Sequence, residues 1–584
     1  MAMPPAPRSS SVADRLARLA PDQRAAATAA AGPVLCVAPA GSGKTTVLVA
    51  RIAWLIDGGA DPEQTCAVTF NRRASVELRE RVDPAVAPLG VAPRAVRVAT
   101  FHALGREILL DAGRTGAEQV ADRDPLLREL FPDAAPADRR TLDDAFSRLK
   151  LDAFVTADDV AADPEPGAIG MAFVAYQRGL ADRGRLDFDD LVAEAVRALE
   201  STPALLKRWR TRTAELLVDE AQDLDRTQLR LALLLAAPAN RIFLVGDDDQ
   251  SIYGWRLADV RRILGLAAEL PGIRRFDLET NYRCPAVVVD RADRLISVNR
   301  ERFVKRIRPR PDAPGTLVLA GDGADDSERA ERIIEGWPDG TSSRAILART
   351  NRNLHPAAVA ALQLNRAFTA PDLTLLVESP QVDVLIGVAR ATIASRPFLP
   401  AFARAVRGSA DAPGTTRGPA EVGEARVAAE APNAGGAEAP DAGGAEPDGA
   451  SRTEIAEALV AWAAPYTTLD ELAAAIAGVR AALATLRRDD APLTLATAHG
   501  TKGLEFDHVA VIDMDEGRFP SGRALAEASD PERTMEEERR LGYVAWTRAR
   551  RTLTLAYDPG APSTFLREAF TDDELAPRRD PRPR

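Results

Sequence analysis

The hydrophobic positions of this chain follow two patterns that alternate along the sequence. Longer segments with the spacing of amphipathic helices separate short apolar runs rich in β-branched residues. The first set of runs lies at 33–38, 65–70, 96–101, 216–220 and 241–247. The second set lies at 344–350, 493–500, 508–513 and 551–558. Strands that alternate with helices build parallel sheets, so the pattern predicts two α/β domains.

Two regions break this alternation. Residues 105–185 have mostly helical spacing, which predicts a helical insertion in the first domain. Residues 407–451 contain no aromatic residue, leucine or isoleucine, and they repeat "AGGAEAPD" as "AGGAEPDG". Because a segment of this composition cannot bury a core, we expect a disordered linker there.

Composition and charge narrow the class of protein. The chain has 584 residues, of which 28% are charged, and a formal net charge of −11. This charge argues against a surface that is basic throughout, although a local basic groove remains compatible with it. No apolar run approaches the roughly 18 residues of a membrane span, and the first residues lack the apolar core of a signal peptide, so we expect a cytoplasmic protein. The three cysteines are far apart, which predicts buried thiols.

The segment "VLCVAPAGSGKTTVLVARIAWLI" reads as a strand, a glycine-rich turn and an apolar helix, which is the context of a phosphate-binding P-loop. A chance GSGKT is improbable because the chain has five lysines among 75 basic residues. Lys44 can reach the β- and γ-phosphates, and the Thr45 hydroxyl can bind Mg²⁺. The residues expected to cradle ATP are Gly41, Ser42, Gly43, Lys44, Thr45 and Thr46.

A pair of acids supplies the partner of this loop. The run "LLVDEAQD" is a hydrophobic strand that ends in Asp219 and Glu220. An acid at the carboxyl end of such a strand is placed to bind Mg²⁺, and a second acid can orient the attacking water. Together with the P-loop, Asp219 and Glu220 predict ATP hydrolysis.

The segment "GDDDQSIYGWR" follows the next predicted strand. Gln250 lies near the exit of that strand and can sense the γ-phosphate. Tyr253 and Trp255 are two residues apart, so in an extended chain their rings project to the same side, where they can stack on bases. The alternative is that both rings belong to the core. The neighbouring Arg256 and the phosphate chemistry on either side favour nucleic acid.

These segments form an ordered series that resembles the superfamily 1 DNA helicases of the UvrD/Rep type. The resemblance runs from about residue 14 to 557, and the P-loop form that starts at Ala38 is the one that this family uses. The segments that carry it are "PDQRAA", "APAGSGKT", "TFNRRAS", "TFHALG", "LDFDDLV", "VDEAQD", "GDDDQSIYGWR", "LETNYRCP", "ATAHGTKGLEFDHVAVIDMDEGRFP" and "EEERRLGYVAWTRAR".

The resemblance implies roles for further residues. On the nucleotide, it implies adenine contacts for Gln23 and Tyr282, a ribose contact for Glu505, and γ-phosphate contacts for Arg283 and Arg548. On DNA, it implies contacts for Phe70, Thr100, His102, His499 and Thr501, and it puts Lys502 near the domain junction. Since Arg283 and Arg548 lie hundreds of residues from the P-loop, they would reach ATP only if a second domain closes over it.

The expected fold class is α/β, with two RecA-like P-loop domains on parallel sheets, a helical insertion in the first, and a reduced, partly disordered insertion in the second. The expected boundaries are a disordered N-terminus at 1–12, a first RecA-like domain at 13–104 and 186–283 with its insertion at 105–185, a second RecA-like domain at 284–378 and 491–558 with its insertion at 379–490, the linker at 407–451, and a flexible tail at 559–584.

Three functions remain open at this point. The first is a helicase that uses ATP and Mg²⁺ to move 3′ to 5′ on single-stranded DNA and to open tailed duplexes in repair or replication, with its direction implied by the resemblance. The second is a single-stranded DNA translocase that removes bound proteins, which the shortened insertion favours. The third is a catalytically silent DNA-binding or interaction protein. The residues that argue against it are the intact Lys44, Glu220, Gln250, Arg283 and Arg548. All three predict a cytoplasmic, nucleoid-associated protein, and the sequence names no repair-protein partner.

Overall fold

The computed structural model describes residues 10–338, 340, 342–392, 398–410 and 452–576. These residues form two compact units, which are described separately. Unit 1 contains the described residues within 10–315 and 524–547. Unit 2 contains the described residues within 316–523 and 548–576.

The strands of the described residues are, in chain order, β1 Val34–Val37, β2 Thr65–Thr69, β3 Arg97–Thr100, β4 Val120–Ala121, β5 Leu186–Asp187, β6 Glu215–Val218, β7 Ile242–Gly246, β8 Arg274–Asp277, β9 Thr280–Asn281, β10 Arg308–Pro309, β11 Thr316–Gly321, β12 Arg344–Ala348, β13 Phe368–Thr369, β14 Leu493–Thr497, β15 Phe506–Val511 and β16 Ala549–Tyr557.

The α-helices of the described residues are, in chain order, α1 Ser10–Ala17, α2 Pro21–Ala27, α3 Lys44–Asp57, α4 Arg72–Val86, α5 Phe101–Asp111, α6 Arg123–Leu130, α7 Pro136–Ser147, α8 Ala157–Ala161, α9 Gly167–Asp182, α10 Asp190–Ser201, α11 Pro203–Arg212, α12 Arg226–Ala236, α13 Val260–Leu264, α14 Leu266–Glu269, α15 Ala286–Ile296, α16 Asp326–Gly336, α17 His355–Gln363, α18 Pro380–Thr392, α19 Phe398–Ala410, α20 Arg452–Ala463, α21 Leu469–Leu486, α22 Gly522–Glu527, α23 Pro531–Trp546, α24 Thr564–Ala569 and α25 Asp572–Leu575.

Sheet 1, in unit 1, contains six parallel strands in the order β3-β2-β6-β7-β1-β8. Strands β1, β2, β6 and β7 are buried along their whole length, as expected for a parallel sheet that helices cover on both faces. Leu35 and Val37 face a core that includes side chains of α5, α10 and α12. Val34 and Cys36 face the other core, which includes side chains of α1 to α4. The alternating side chains of one strand therefore stabilise both layers.

The helical insertion of unit 1 has a small core of its own and a buried ionic cluster. The core contains Phe146, Phe173 and Tyr176, which lie on α7 and α9. Lys150 Nζ lies 2.6 Å from Asp187 Oδ2 and 2.7 Å from Asp190 Oδ1, and the Tyr176 hydroxyl donates to Asp187 at 2.9 Å. Because buried charges are tolerated only when paired, this cluster ties the insertion to the start of α10.

Sheet 2, in unit 2, also contains six parallel strands, in the order β11-β16-β15-β12-β14-β13. Side chains of α16 and α17 pack in its core. Helices α18 to α21 enclose a separate core that contains Phe402, Leu459 and Leu472. The two parallel sheets with flanking helices confirm the predicted fold class. No helix in the described part of the chain is both long and apolar enough to cross a membrane.

Several boundaries differ from those expected. Helix α1 begins within the expected N-terminal segment 1–12, and α19 continues to Ala410, inside the expected linker. Helices α24 and α25 occupy part of the expected tail, where Phe565 and Leu566 are buried, because Phe565 packs edge-on against Phe519. The rest of these three expected segments (1–9, 411–451 and 577–584) lies outside the described residues.

Unit 1 also takes in two stretches that were expected in the second domain, 284–315 and 524–547. The first stretch contains α15 and the second contains α23. Asn299 Nδ2 donates to the Glu536 carbonyl oxygen at 2.9 Å, and Arg540 donates to the Glu301 carbonyl oxygen at 2.7 Å. These bonds join stretches that are more than 200 residues apart in sequence, so contact rather than chain order decides the grouping.

The nine predicted strand runs correspond to β1, β2, β3, β6, β7, β12, β14, β15 and β16. The sequence analysis missed β8 and β11, which form one edge of each sheet. Side chains along β8 alternate between half-buried and exposed, and those of β11 are half-buried or exposed throughout. Strand β8 has the sequence RRFD, whose single apolar residue cannot meet the criterion of an apolar run. Strand β11 has the sequence TLVLAG, which does contain an apolar run that the sequence analysis passed over.

Asp225 combines a structural role with an unfavourable site for its charge. Its carboxylate caps α12 by accepting a hydrogen bond from the Gln228 backbone N–H at 2.8 Å. Burial, reinforced by the charge of Asp189, raises the pKa of Asp225 to about 7. The neutral acid is therefore favoured in the folded protein at pH values where the unfolded chain is ionised.

Replacing this acid should make stability less sensitive to pH. Between about pH 4 and pH 7 the folded protein holds a proton on Asp225 that the unfolded chain has released, so the contribution of Asp225 to stability falls as pH rises. Asp225→Asn keeps the capping oxygen and cannot ionise. As the pH rises from about 4.5 to 8, the free energy of unfolding of the variant should increase relative to that of the wild type by up to about 4 kcal/mol. Thermal melts at both pH values measure this gain, and an equal difference at both would contradict it.

Candidate functional site

The residues of unit 1 that are predicted to act in ATP hydrolysis lie at one edge of sheet 1. Since all six strands are parallel, their carboxyl ends lie at the same edge. The P-loop follows β1, Asp219 and Glu220 follow β6, and the loop with Gln250 follows β7, and these three strands are neighbours. The segments expected to contact DNA follow β2 and β3 on one side of them. The strand order therefore sets the segments predicted to bind the nucleotide beside the segments predicted to contact DNA.

The P-loop has the backbone that a phosphate cradle requires. Gly41 and Gly43 have φ values of 68° and 88°, in the left-handed region that favours glycine. A Cβ on Gly43 would lie 2.8 Å from Gln23 Nε2, and one on Gly41 would lie 2.7 Å from Asn281 Oδ1. Helix α3 begins at Lys44, so its first N–H groups, which have no partner within the helix, point towards the loop.

Lys44 and Glu220 contact each other within this cradle. The Lys44 ammonium donates to Glu220 Oε2 at 2.8 Å. Burial disfavours the charged amine, but the carboxylates of Glu220 and Asp247 outweigh burial and hold the pKa of Lys44 above its ordinary value. Lys44 therefore carries a full positive charge where the β- and γ-phosphates of a nucleotide would lie.

Asp219 and Glu220 form a strained acidic pair at the end of β6. Glu220 has a φ of 51°, which is uncommon for a residue with a side chain and turns the chain sharply after the strand. Its backbone N–H donates to Asp219 Oδ1 at 3.0 Å. Burial and the charge of Glu220, opposed by Lys44, raise the pKa of Asp219 to about 7. A buried carboxylate next to a half-buried one favours a cation beside them.

The site has the groups that ATP and Mg²⁺ need. The Ser42 hydroxyl oxygen, within the P-loop, is buried and has no hydrogen-bond partner among the described residues. The Thr45 hydroxyl and the Asp219 carboxylate are oxygen donors, which Mg²⁺ prefers. The residues predicted to hold the nucleotide phosphates and the metal therefore fit them chemically.

Gln222, which the sequence analysis did not single out, connects the two acidic loops. Its Nε2 donates to Glu220 Oε2 at 2.7 Å, and its Oε1 accepts the backbone N–H of Asp247 at 2.9 Å. Gln250 Nε2 in turn donates to Asp247 Oδ2 at 2.6 Å. A chain of hydrogen bonds thus runs from Glu220 to Gln250. The position of Gln222 within "VDEAQD", directly after the acidic pair, was the sequence signal that could have identified it.

The residues expected near adenine lie beside the P-loop. Gln23 Nε2 donates to the Ser42 carbonyl oxygen at 2.8 Å, and its Oε1 accepts the Ala20 N–H at 3.1 Å. Tyr282 is exposed, and its backbone N–H donates to the Gly41 carbonyl oxygen at 2.9 Å. The Arg283 guanidinium donates to the Thr547 carbonyl oxygen at 3.3 Å. The structure thus brings Gln23, Tyr282 and Arg283 to one side of the phosphate loop.

The aromatic pair Tyr253 and Trp255 differs from the expectation. Residues 254–256 form a turn of 3-10 helix and not an extended chain, so the expected backbone is wrong. The two rings nevertheless lie together, edge to face, with centroids 6.1 Å apart. Tyr253 is 8% exposed and stacks on Phe70, with ring centroids 4.8 Å apart and planes inclined by 14°. Trp255 is 48% exposed, and the Arg256 guanidinium lies 4.6 Å from its ring centroid. Each of the two interpretations therefore applies to one ring. Tyr253 is packed in the core, and Trp255 is exposed and able to stack on a base.

The loop after β3 has a second ring pair. His102 stacks on Phe188, a residue that the sequence analysis did not single out, with centroids 3.7 Å apart. Burial lowers the pKa of His102 to about 4, so the ring is neutral near pH 7 and offers a stacking face rather than a charge. Thr100 is buried, and its hydroxyl caps α5 by accepting the Ala103 N–H at 3.2 Å. This hydrogen bond stabilises the start of α5, and the DNA contact of Thr100 stays a prediction.

The remaining predicted residues belong to unit 2. His499 is buried, and burial lowers its pKa to about 3, with Arg349 and Lys502 acting in the same direction. The Thr501 hydroxyl is buried and donates to the Ala498 carbonyl oxygen at 2.9 Å.

Two further predicted residues of unit 2 lie around the start of β16. Arg548 is buried and donates to the Leu504 carbonyl oxygen at 3.1 Å. Glu505 is more exposed and lies 3.5 Å from Arg550. Both are held by neighbours within unit 2.

Comparison with known families agrees with this geometry. The UvrD/REP helicase N-terminal domain matches residues 19–271, and the UvrD-like helicase C-terminal domain matches residues 465–559. The chain belongs to the UvrD/REP helicase family. Membership in this family makes the protein a DNA helicase driven by ATP.

The similarity to individual relatives extends over most of this chain. The ATP-dependent DNA helicase PcrA of Staphylococcus aureus is 27% identical over 94% of this chain and 85% of its own length. DNA helicase II of Salmonella typhimurium is 29% identical over 92% of this chain and 84% of its own. DNA helicase II of Escherichia coli is 28% identical with the same coverage. The similarity thus includes both units of this UvrD-type helicase.

Proposed function

We propose that this UvrD-type helicase moves 3′ to 5′ along single-stranded DNA, using ATP and Mg²⁺, and opens duplexes that carry a single-stranded tail. We also propose that it does so on chromosomal DNA in the cytoplasm, in repair or replication. The direction of movement is carried over from the resemblance to the UvrD/Rep type. The remaining steps are supported by the geometry of unit 1.

One observation carries the proposal. The loop at 246–256 joins the nucleotide region to the DNA region within eleven residues. At its start, Gln250 is bonded through Asp247 to Gln222, and Gln222 is bonded to Glu220. At its end, Trp255 presents an exposed indole ring. A displacement that begins at the γ-phosphate would reach a base-stacking ring through a short covalent path.

The residues around the P-loop divide the hydrolysis of ATP among them. Lys44 binds the β- and γ-phosphates, Glu220 orients the attacking water, and Gln250 senses the γ-phosphate. Arg283, beside the P-loop, stabilises the charge that develops on the transferred phosphoryl group. Bound by Thr45 and Asp219, Mg²⁺ would neutralise charge on the phosphates.

The roles of the other predicted residues are part of the same proposal. Tyr282 offers an exposed ring for adenine, and Gln23 lies beside the P-loop with an amide that can read the base edge. Phe70 and His102 offer ring faces on the DNA side, where each is already stacked on a neighbour. Glu505, Arg548, His499 and Thr501 keep the nucleotide and DNA roles that the resemblance implies.

Unwinding of tailed duplexes tests the proposal. With ATP and Mg²⁺, strand separation is expected from a duplex with a 3′ single-stranded tail and not from one with a 5′ tail. Lys44→Ala serves as the blank, because it removes the phosphate-binding ammonium and leaves the DNA side unchanged. Unwinding from the 5′ tail alone would overturn the proposed direction. DNA-stimulated ATP turnover without strand separation from either tail would instead indicate a translocase.

A further inference from the structure

The acidic turn Asp247–Asp249 is buried completely. All three carboxylates have no exposed surface, although they are consecutive and follow directly on β7. Three adjacent buried carboxylates repel one another and lose their hydration, so such a turn is stable only with cationic partners. Burial and the charges of Asp249 and Asp247 raise the pKa of Asp248 to about 6, in spite of the cation beside it.

That cation is Lys305, whose side chain is also fully buried. Its ammonium lies 2.8 Å from Asp247 Oδ1 and 3.0 Å from Asp249 Oδ2, and it also donates to Asp248 Oδ1. A lysine ammonium has three N–H donors, so one donor is available for each carboxylate. The charges of the three acids outweigh burial and hold the pKa of Lys305 above its ordinary value.

A second cation closes the turn from the same segment. The Arg302 guanidinium binds Asp249 through two hydrogen bonds of 2.9 and 2.7 Å, and it also contacts the Ser297 hydroxyl at 3.3 Å. The Phe303 backbone N–H donates to Asp248 Oδ2 at 2.8 Å. Residues 302–305, which follow α15, thus cover the acidic turn.

Asp247 connects this ionic cluster to Gln250. One carboxylate oxygen of Asp247 accepts from Lys305, and the other accepts from Gln250 Nε2 at 2.6 Å. The Lys305 bond, with a longer one of 3.3 Å from the Asp249 backbone N–H to the same oxygen, orients the Asp247 carboxylate. The other oxygen of that carboxylate in turn holds the Gln250 side chain. The bonds of Arg302 go to Asp249 and Ser297 instead, so the two cations differ in what they orient.

We propose that Lys305 is a positioning residue that holds Gln250, through Asp247, in the orientation needed for γ-phosphate sensing. The inference rests on the proposed role of Gln250 in ATP hydrolysis. A lysine suits this position because one ammonium can donate to three carboxylates from a single point.

Three variants distinguish a positioning role of Lys305 from a purely stabilising one. Lys305→Met removes the bond to Asp247, Lys305→Arg keeps the charge but changes the donor geometry, and Arg302→Met weakens the same cluster without touching Asp247. The melting temperature, the KM for ATP and kcat at saturating single-stranded DNA are measured for each. We expect kcat of Lys305→Met to fall by about 10- to 100-fold with KM nearly unchanged, because a small misplacement of a catalytic group has effects of this size.

The control Arg302→Met and the conservative variant Lys305→Arg have expected results of their own. Arg302→Met should lower the melting temperature but keep kcat within about threefold of the wild type. Lys305→Arg should recover part of the lost kcat and most of the melting temperature. If Lys305→Met does not fold, the charge-matched variant Lys305→Met with Asp248→Asn, or Lys305→Arg alone, decides the case by its kcat.

Two results would overturn the inference. One is a kcat of the folded Lys305 variants within about threefold of the wild type, and the other is an equal loss of kcat in Lys305→Met and Arg302→Met. Failure of the proposed function is visible separately, because wild-type protein would then show no stimulation by single-stranded DNA. In that case, the kcat of Lys305→Met relative to that of the wild type, both measured without DNA, still tests the positioning role of Lys305.

Discussion

Glu220→Gln is expected to bind ATP with nearly wild-type affinity and to lose turnover by about 10²- to 10⁴-fold. The amide oxygen of glutamine can still accept hydrogen bonds from Lys44 and Gln222, as Glu220 Oε2 does at 2.8 and 2.7 Å. The fold of the loop is therefore retained. What the amide loses is the negative charge that orients and activates the attacking water.

A second Glu→Gln substitution, on the strand that Glu220 follows, provides the matched control. Glu215 lies at the other end of β6, is buried, and forms an ion pair with Arg241. Glu215→Gln should change stability without changing turnover per folded molecule by more than about twofold. Nucleotide binding measured by fluorescence, together with steady-state ATP hydrolysis, distinguishes the two variants. Wild-type turnover in Glu220→Gln would remove Glu220 from its proposed role.

Trp255→Ala should weaken binding to single-stranded DNA by about 1–3 kcal/mol, or roughly 5- to 150-fold in Kd. The indole ring is 48% exposed and carries the Arg256 guanidinium 4.6 Å from its centroid, so both the stacking face and the placement of the arginine depend on it. Because Tyr253 remains packed on Phe70, the loop itself should keep its shape. Basal ATP hydrolysis is expected to stay near the wild-type value, while its stimulation by DNA is lost.

Trp255→Phe is the matched control for this variant. A phenyl ring keeps an aromatic stacking face, so most of the DNA affinity and stimulation should return. Fluorescence anisotropy with a labelled oligonucleotide measures the affinity, and ATP turnover with and without that oligonucleotide measures the coupling. If Trp255→Ala binds DNA as tightly as the wild type, the ring does not stack on bases.

The candidate site was predictable where chemistry is local in sequence. The P-loop needs closely spaced glycines and a lysine at the start of a helix, so Lys44 and its neighbours could be predicted from one segment. Asp219 and Glu220 were found in the same way, from a hydrophobic strand followed by acids. The ring pair Tyr253 and Trp255 was described only in part, because the spacing of two residues does not reveal that residues 254–256 turn.

Residues that act through distant partners were not predictable. The three aspartates after β7 are conspicuous in sequence, but nothing in the segment indicates that Lys305 neutralises them from 56 to 58 residues away. Gln222 and Phe188 were missed for the same reason, since each matters through what it contacts. A contact between distant segments depends on the path of the chain, and no local pattern encodes that path.

The sequence by itself determined that this protein has two α/β units with parallel sheets, an ATP-type phosphate loop and the motif series of a UvrD-type helicase. These properties follow from hydrophobic periodicity and from motifs that are complete within a few residues. Only the tertiary structure decided that β6, β7 and β1 are neighbours, that α23 packs within unit 1, and that Lys305 is buried against Asp247. The physical reason is that strand order and the pairing of buried charges are set by the free energy of the whole packed unit, to which segments hundreds of residues apart contribute together.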